Sequence, residues 1–277
     1  MTTSTTPAAP EQFPGAEFTE GTVQVAGFTV RYYDAGMGEP VAVLHGAGGP
    51  RFTVGLDLLA QQRRVVLLEM PGFGDQADDV HQAPAELADA VAEAFAEIGL
   101  ERYHLLGTSF GGAIALHVAL AHPERVVSLV LEAPAAFRVG GESPATIPPE
   151  EMVTRFRTHP ERAPAFTPPD PATMARSWPL VERLLGSRPD YDQELADRLP
   201  ALAVRTLVLF GDRDGIVPCA NGRTYRQLMP NCSYILVHDA AHDIQADRAE
   251  AFADVVGDFL ARGWQFLVPE QSTLVNP

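Results

Sequence analysis

Short apolar runs alternate with helix-like segments along most of the chain, and this order restricts the possible fold more than any other feature. Apolar runs bounded by turn residues are typical of strands at 28–36, 40–49, 63–74, 102–109, 125–134, 204–212 and 232–240. The middle runs are apolar at almost every position, as parallel strands covered on both faces must be. Segments with helical spacing lie at 83–100, 110–126 and 247–263. The alternation predicts an α/β protein with a doubly wound, mostly parallel sheet.

The alternation stops between residues 135 and 200, which contain many prolines and several short helix-like pieces such as PPEEMVTRFRTHP. A stretch of this length is too long for a structureless loop in a compact domain. We therefore expect a small helical cap at 135–200, inserted over one end of the sheet, between core segments 18–134 and 201–277. Residues 1–17, rich in Thr, Ala and Pro without a basic start or an apolar run, predict a disordered lead rather than a signal peptide.

Composition excludes several classes of function. The 277 residues carry a formal net charge of −16, which argues against nucleic-acid and anionic-membrane partners. Cys219 and Cys232 make neither a disulfide framework nor a metal motif, so a reduced, cytoplasmic protein is expected. Neither a zinc-type H-E-x-x-H nor a glycine-rich nucleotide motif occurs, and we expect no metal and no cofactor. The expected partner is a small-molecule substrate. The sequence leaves open whether the protein forms a homodimer.

The pattern G-x-S-x-G occupies residues 107–111, where a predicted strand meets a predicted helix. A serine at such a sharp turn exposes its hydroxyl beyond the strand end, and its neighbours must be small because other backbone passes close by. The N-terminal amides of the following helix point toward the serine. The pattern alone is weak, but its position between strand and helix makes Ser109 a candidate nucleophile.

A serine hydroxyl attacks well only when a base removes its proton. Among eight histidines, His242 follows the last apolar run and precedes the final helix, so it should face Ser109 where the strand ends share a crevice. Two carboxylates could orient it: Asp214, past the end of the run at 204–212, and Glu132, at the end of the run at 125–134. The motif context favours Asp214, and Glu132 stays as the alternative acid.

The negative charge that develops on a substrate oxygen needs N–H donors. The glycine-rich sequence HGAGG at 45–49 follows the second predicted strand, and we expect Ala47 and Phe110 to supply the two donors. Arg138 and Arg176 could bind a carboxylate, although surface arginines are commoner. The residues predicted to bind substrate are His45, which we also expect to hold the loop, Gly46, Phe137, Arg138, Arg176, Trp178, Ile216 and Ile244.

The patterns LHGAGG, MPGFGD, GTSFGG, FGDRDGIVP and AAHDIQ together resemble the α/β-hydrolase superfamily over about residues 25–264. The resemblance implies an eight-stranded sheet, a cap domain after LEAPA, and Ser109, Asp214 and His242 as nucleophile, acid and base. Some branches of the superfamily place the acid where Glu132 stands. Dehalogenases and most epoxide hydrolases of this fold have an aspartate in the position of Ser109, so they are disfavoured.

These features predict a serine hydrolase that cleaves a carboxylic ester or a lactone through an acyl-enzyme, with an apolar or aromatic acyl substrate. The alternative is a C–C bond hydrolase of vinylogous diketones from ring cleavage. The H-x-x-Q pattern of His242 and Gln245 suits those enzymes, but they usually carry an aromatic residue where this chain has Asp243. A third hypothesis is a ligand receptor on the same fold with slow turnover or none.

Overall fold

The computed structural model describes residues 14–142, 146–162 and 171–267. Eight strands of these residues form one sheet in the order β1-β2-β4-β3-β5-β6-β7-β8. Strand β2 is antiparallel to both of its neighbours, and the remaining pairs are parallel. The strands are β1 (Thr19–Val25), β2 (Phe28–Ala35), β3 (Pro40–Leu44), β4 (Arg64–Leu68), β5 (Tyr103–Thr108), β6 (Val126–Glu132), β7 (Thr206–Gly211) and β8 (Cys232–Val237).

Helices cover both faces of this sheet. They are α1 (Val54–Ala60), α2 (Pro84–Glu97), α3 (Phe110–Ala121), α4 (Pro149–Phe156), α5 (Pro171–Val181), α6 (Gln193–Arg198), α7 (Gly222–Leu228), α8 (Ile244–Asp247) and α9 (Ala249–Arg262). Side chains of one strand point alternately to opposite faces, so Val41 and Val43 pack in the core with α1 and α9, and Ala42 and Leu44 in the core with α2 and α3. The predicted doubly wound, mostly parallel α/β fold is confirmed.

Strand β1 is absent from the apolar runs of the sequence because it lies at the sheet edge. It pairs only with β2, and most of its residues are exposed or half-buried, so its sequence TEGTVQV is largely polar. Helix α1 shows no clear helical period in the sequence either, since its seven residues span only about two turns. Its start is nevertheless well defined, because the Thr53 hydroxyl accepts a hydrogen bond from Leu56 N–H at 3.1 Å.

Between β6 and β7 the chain forms α4, α5 and α6 together with short 3₁₀ and π-helical turns. Five buried leucines of the described part of this segment join the core on the α3 face: Leu180, Leu184, Leu195, Leu199 and Leu202. The segment is therefore anchored by burial of apolar side chains. The division into a cap at 135–200 and a core at 18–134 and 201–277 stays a prediction.

Parts of the predicted segments lie outside the described residues: 1–13 of the predicted lead, 143–145 and 163–170 of the predicted cap, and 268–277 of the predicted core. Residues 14–17 form a turn, in which Gly15 N–H donates to the Asp57 carboxylate at 3.0 Å. Within the described ranges, no helix combines the length and apolar character that a membrane crossing requires.

Candidate active site

Ser109 lies at the junction of β5 and α3 in a strained backbone conformation. Its φ of 53° and ψ of −112° are unusual for a residue with a side chain. The surrounding structure maintains this conformation: Ser109 N–H donates to the carbonyl of Glu132 at 2.9 Å, and the Ser109 carbonyl accepts from Ala135 N–H at 3.0 Å. Strain that is fixed in this way places the hydroxyl at the wall of a cavity.

The two glycines of the motif allow the close backbone contacts that this turn requires. A Cβ on Gly111 would lie 2.4 Å from the carbonyl oxygens of both Leu44 and His45. A Cβ on Gly107 would lie 2.5 Å from the carbonyl oxygen of Gly111 itself. A larger residue at 111 would push the β5–α3 turn away from the end of β3, and one at 107 would push β5 away from α3. Either change would move the serine.

His242 follows β8 and is paired with the acid favoured by the sequence. Its Nδ1 lies 2.9 Å from Oδ2 of Asp214, and both side chains are almost completely buried. The other oxygen of Asp214 accepts the N–H groups of Ile216 and Val217, each at 2.9 Å. Donation from Nδ1 places the lone pair of the neutral imidazole on Nε2, which has no hydrogen-bond partner among the described residues. His242 and Ser109 line the same cavity.

The alternative acid, Glu132, is engaged elsewhere. This fully buried carboxylate accepts the Thr108 hydroxyl at 2.7 Å and both the backbone N–H and the side-chain amide of Gln245. Gln245 also accepts the hydroxyl of Thr53 at 2.8 Å. Burial and the charge of Asp243 raise the pKa of Glu132, against the opposite effect of its hydrogen bonds. Glu132 therefore binds the turn that carries the serine and leaves the imidazole to Asp214.

The charges around His242 favour its protonated form. Burial lowers the pKa of the imidazole, but the carboxylates of Asp214, Glu132 and Asp243 outweigh burial and raise it above its ordinary value of 6.5. Asp214 contributes most because it is both charged and hydrogen-bonded to the ring. A base with a raised pKa holds an abstracted proton more strongly.

We expect kcat/KM for a neutral ester to fall at acid pH with a midpoint above 6.5, because only the neutral imidazole can accept a proton. Asp243→Asn removes one of the carboxylates that raise the pKa of His242, so the midpoint should move to lower pH. Asp212→Asn is the control, since that carboxylate binds His238 and the N–H of Asp239. Equal shifts of the pH–rate profile in both variants would contradict this assignment.

The loop after β3 contains the predicted oxyanion donor and the buried His45. His45 Nδ1–H donates to the Gly46 carbonyl at 2.7 Å, and its Nε2 accepts Met70 N–H at 3.1 Å. Burial lowers the pKa of His45 to about 4, so the ring stays neutral and holds the loop. Within the described part of the chain, the N–H groups of Ala47 and Phe110 form no hydrogen bond.

A cavity of about 760 Å³ lies between the strand ends and the helices that follow β6. Of the predicted site residues, the described structure places Ser109, His242, Ala47, His45, Gly46 and Trp178 in its wall. Apolar side chains that the sequence did not single out complete the wall; they include Phe73, Met152, Val153, Phe156 and Met174. Phe156 packs edge-on against the His242 ring, with the ring centroids 5.1 Å apart.

Five predicted substrate-binding residues are not among those that line this cavity, and a role for them in binding stays a prediction. Phe137 packs between Tyr191 and Tyr225, and Ile244 is buried in the core with α1 and α9. Ile216 is buried beside Asp214. Two arginines donate to backbone carbonyls: Arg138 to those of Ala135 and Arg188, and Arg176 to that of Gly74.

A charged cluster that the sequence did not predict lies at the cavity wall. Asp243, which follows His242 directly, is 2% exposed and binds two guanidinium groups. Arg51 Nη2 lies 2.7 Å from Oδ1, and Arg157 Nε lies 2.8 Å from Oδ2. Both arginines line the cavity. The one sequence signal for this cluster was Asp243 itself, at a position where the C–C hydrolases usually carry an aromatic residue.

Asp247 connects the loop of His242 to the segment after α4. Its buried carboxylate accepts the N–H groups of Thr158 and His159, each at 2.9 Å, and that of Ala241 at 2.8 Å. Thr158 and His159 belong to the predicted cap, whereas Ala241 immediately precedes His242. One carboxylate therefore binds both the segment that follows α4 and the backbone that presents the imidazole.

Comparisons with known proteins agree with this architecture. A family model described as the alpha/beta hydrolase family matches residues 41–255. The chain is 28% identical to a 2-hydroxymuconate semialdehyde hydrolase of Pseudomonas putida, covering 91% of this chain and 97% of the relative. It is also 28% identical to a 2-hydroxy-6-oxononadienedioate/2-hydroxy-6-oxononatrienedioate hydrolase of Comamonas testosteroni, covering 86% and 93%.

Among solved structures, a bacterial membrane phospholipase A superposes with a TM-score of 0.72 at 27% identity, covering 89% of this chain and 86% of the other. The family match spans most of the chain, and the strand order and the strained serine turn agree with it. The chain therefore belongs to the alpha/beta hydrolase family.

Proposed function

We propose that this protein is a serine hydrolase that cleaves carboxylic esters or lactones through an acyl-enzyme on Ser109. One observation carries the proposal: Ser109 shares a cavity with His242. Nδ1 of this histidine is hydrogen-bonded to the buried carboxylate of Asp214, and its Nε2 has no hydrogen-bond partner in the described structure. A nucleophile, a base and an orienting acid are the set that acyl transfer requires.

In the proposed reaction, His242 Nε2 accepts the Ser109 proton as Oγ attacks the substrate carbonyl carbon. The carbonyl oxygen becomes negative, and the N–H groups of Ala47 and Phe110 donate to it. Collapse of this intermediate breaks the bond to the alcohol oxygen, which takes the proton from His242. Water then attacks the acyl-enzyme with His242 as base, releasing the acid and restoring the Ser109 hydroxyl. With a lactone, the alcohol remains part of the released acid.

The apolar cavity wall supports an acyl group that is itself apolar or aromatic. Met152, Phe156, Met174 and Trp178 line the cavity on the side of the helices that follow β6. Transfer of apolar surface from water to such a wall is favourable, and a few polar groups then suffice to orient the ligand. Cytoplasmic localisation and a homodimer stay predictions.

A second candidate is hydrolysis of a C–C bond beside a ketone, and the names of the relatives favour it. The Pseudomonas putida protein is named a 2-hydroxymuconate semialdehyde hydrolase and matches nearly the full length of both chains. The same serine and histidine could serve, but the leaving group would be a carbon that must be protonated. Absorbance of a vinylogous diketone substrate tests this: without loss of the dienolate band in the presence of the enzyme, this candidate is removed.

The proposed function is tested by covalent labelling. A fluorophosphonate probe should modify Ser109, identified by peptide mass spectrometry, and should stop turnover of a p-nitrophenyl ester in parallel with labelling. Activated serines react with such probes because the Oγ attacks phosphorus as it would attack a carbonyl. Labelling of another residue, or full activity after complete labelling, would contradict the proposal. No labelling and no turnover would favour the receptor hypothesis.

A further inference from the structure

Arginine side chains lie in the wall of the cavity, and one of them is open to a ligand. Three arginines of the described residues line the cavity: Arg31, Arg51 and Arg157. Arg31 has its own carboxylate, since its Nε lies 3.1 and 3.2 Å from the two oxygens of Glu69. Arg51 and Arg157 instead share the carboxylate of Asp243, one oxygen each.

Arg51 is the member of this pair that a ligand can reach. Arg157 is nearly buried, with 9% of its side chain exposed, and it already engages one oxygen of Asp243. Arg51 has 37% of its side chain exposed and contacts Asp243 through Nη2. An arginine has five N–H donors, so most of those of Arg51 remain for other acceptors. A charged donor at the wall of an apolar cavity interacts more strongly than one in bulk water.

The position of Arg51 also brings it near the reacting groups. It lies in the loop that begins with His45 and carries the Ala47 N–H, and its partner Asp243 is the residue after His242. The contact with Asp243 limits the freedom of the guanidinium, which reduces the entropy lost when a second acceptor binds. A planar guanidinium matches a carboxylate with two parallel hydrogen bonds.

We propose that Arg51, oriented by Asp243, binds a carboxylate of the substrate, so that the preferred substrates are esters carrying a free carboxylate at the end of an apolar chain. This inference rests on the proposed function for its reaction, but the binding site itself does not depend on turnover. It assigns Arg51 a role in specificity, because Arg51 lines the cavity and Arg138 and Arg176 are not in its lining.

The test compares two esters that differ only in one terminal group, mono(4-nitrophenyl) adipate and 4-nitrophenyl hexanoate. We expect Arg51→Gln to lower the ratio of kcat/KM for the adipate ester over the hexanoate ester by about tenfold, the cost of one charge-assisted hydrogen bond. Arg51→Lys, which keeps the charge but cannot make two parallel hydrogen bonds, should retain only part of the preference. An unchanged ratio in Arg51→Gln would overturn the proposal.

Arg64→Gln is the matched control. Arg64 has 34% of its side chain exposed and lies 2.7 Å from the Asp34 carboxylate, but it begins β4 at the opposite end of that strand from the cavity. The control should leave the substrate ratio at the wild-type value. A loss as large as that in Arg51→Gln would show that net charge, and not a local site, sets the preference, and would overturn the proposal.

A calorimetric titration separates this proposal from the proposed function. In Ser109→Ala, monomethyl adipate should bind at least about tenfold more tightly than methyl hexanoate, and adding Arg51→Gln should remove that difference. If the wild-type protein turned over neither ester but the tighter binding of the adipate ester were observed, the proposed hydrolase function would be refuted and the carboxylate site at Arg51 would be supported. Turnover of both esters without any preference in binding would keep the hydrolase and refute the anion site.

Discussion

Ser109→Ala is expected to lower kcat for a p-nitrophenyl ester by at least about 10⁴-fold, because in the proposed mechanism the nucleophile, its base and its acid act as one unit. The methyl group of alanine cannot attack the carbonyl, and the remaining N–H donors and the cavity supply only residual catalysis. The small change in volume should leave the fold intact. Steady-state kinetics together with thermal unfolding measure both effects.

Ser233→Ala is the control for this substitution. Ser233 lies on β8 beside Cys232 and does not line the cavity. The substitution removes the same hydroxyl group from another strand of the same sheet. It should retain wild-type kcat. If Ser109→Ala kept more than about a tenth of the wild-type rate while its unfolding temperature was unchanged, Ser109 could not be the nucleophile.

Asp214→Asn should lower kcat by about 10³- to 10⁴-fold, the second largest expected effect. An asparagine can donate to His242 Nδ1 through its amide, which would stabilise the tautomer with the proton on Nε2 and remove the lone pair that faces the cavity. The Asp214 side chain also accepts the N–H groups of Ile216 and Val217. In the variant the amide oxygen would have to face these donors, which leaves the NH₂ group facing His242. Steady-state kinetics and a pH–rate profile measure the effect.

Glu132→Gln is the matched comparison, since it neutralises the other candidate acid in the same crevice. Its loss should stay within about tenfold, because Glu132 contacts Thr108 and Gln245 and no hydrogen bond joins it to the imidazole in the described structure. Its effect should appear partly as lower stability, since Gln245 would lose a charged acceptor. A large loss in Glu132→Gln alone would make Glu132 the acid.

The features that sequence predicts well are those dictated by local backbone geometry. The glycines around Ser109 predict a tight turn that only small residues allow. In the structure, carbonyl oxygens lie 2.4 Å from the position that a Gly111 Cβ would occupy. The chain order of Ser109, Asp214 and His242 predicts a meeting at the strand ends, because parallel strands end at one edge. The structure pairs His242 with Asp214 and places Ser109 at the same cavity.

The cavity wall was predicted poorly because its composition depends on how distant segments pack. Phe137 is an apolar residue at the start of the predicted cap, but its ring turns toward Tyr225 rather than toward the cavity. The partnership of Arg51 with Asp243 joins two loops far apart in sequence, and no periodicity or motif connects them. Such pairings follow from three-dimensional proximity, which one sequence does not encode as a local pattern.

The carboxylate of Asp247 has a consequence for how this protein would discriminate by size. This carboxylate binds Thr158, His159 and the residue before His242. An oversized ligand that displaced residues 158–159 would therefore also pull on the backbone of His242, the proposed general base. Bulky ligands would thus be processed slowly even when they fit, since a misplacement of about 1 Å is costly to catalysis. The protein would then discriminate against large ligands in the rate of turnover as well as in binding.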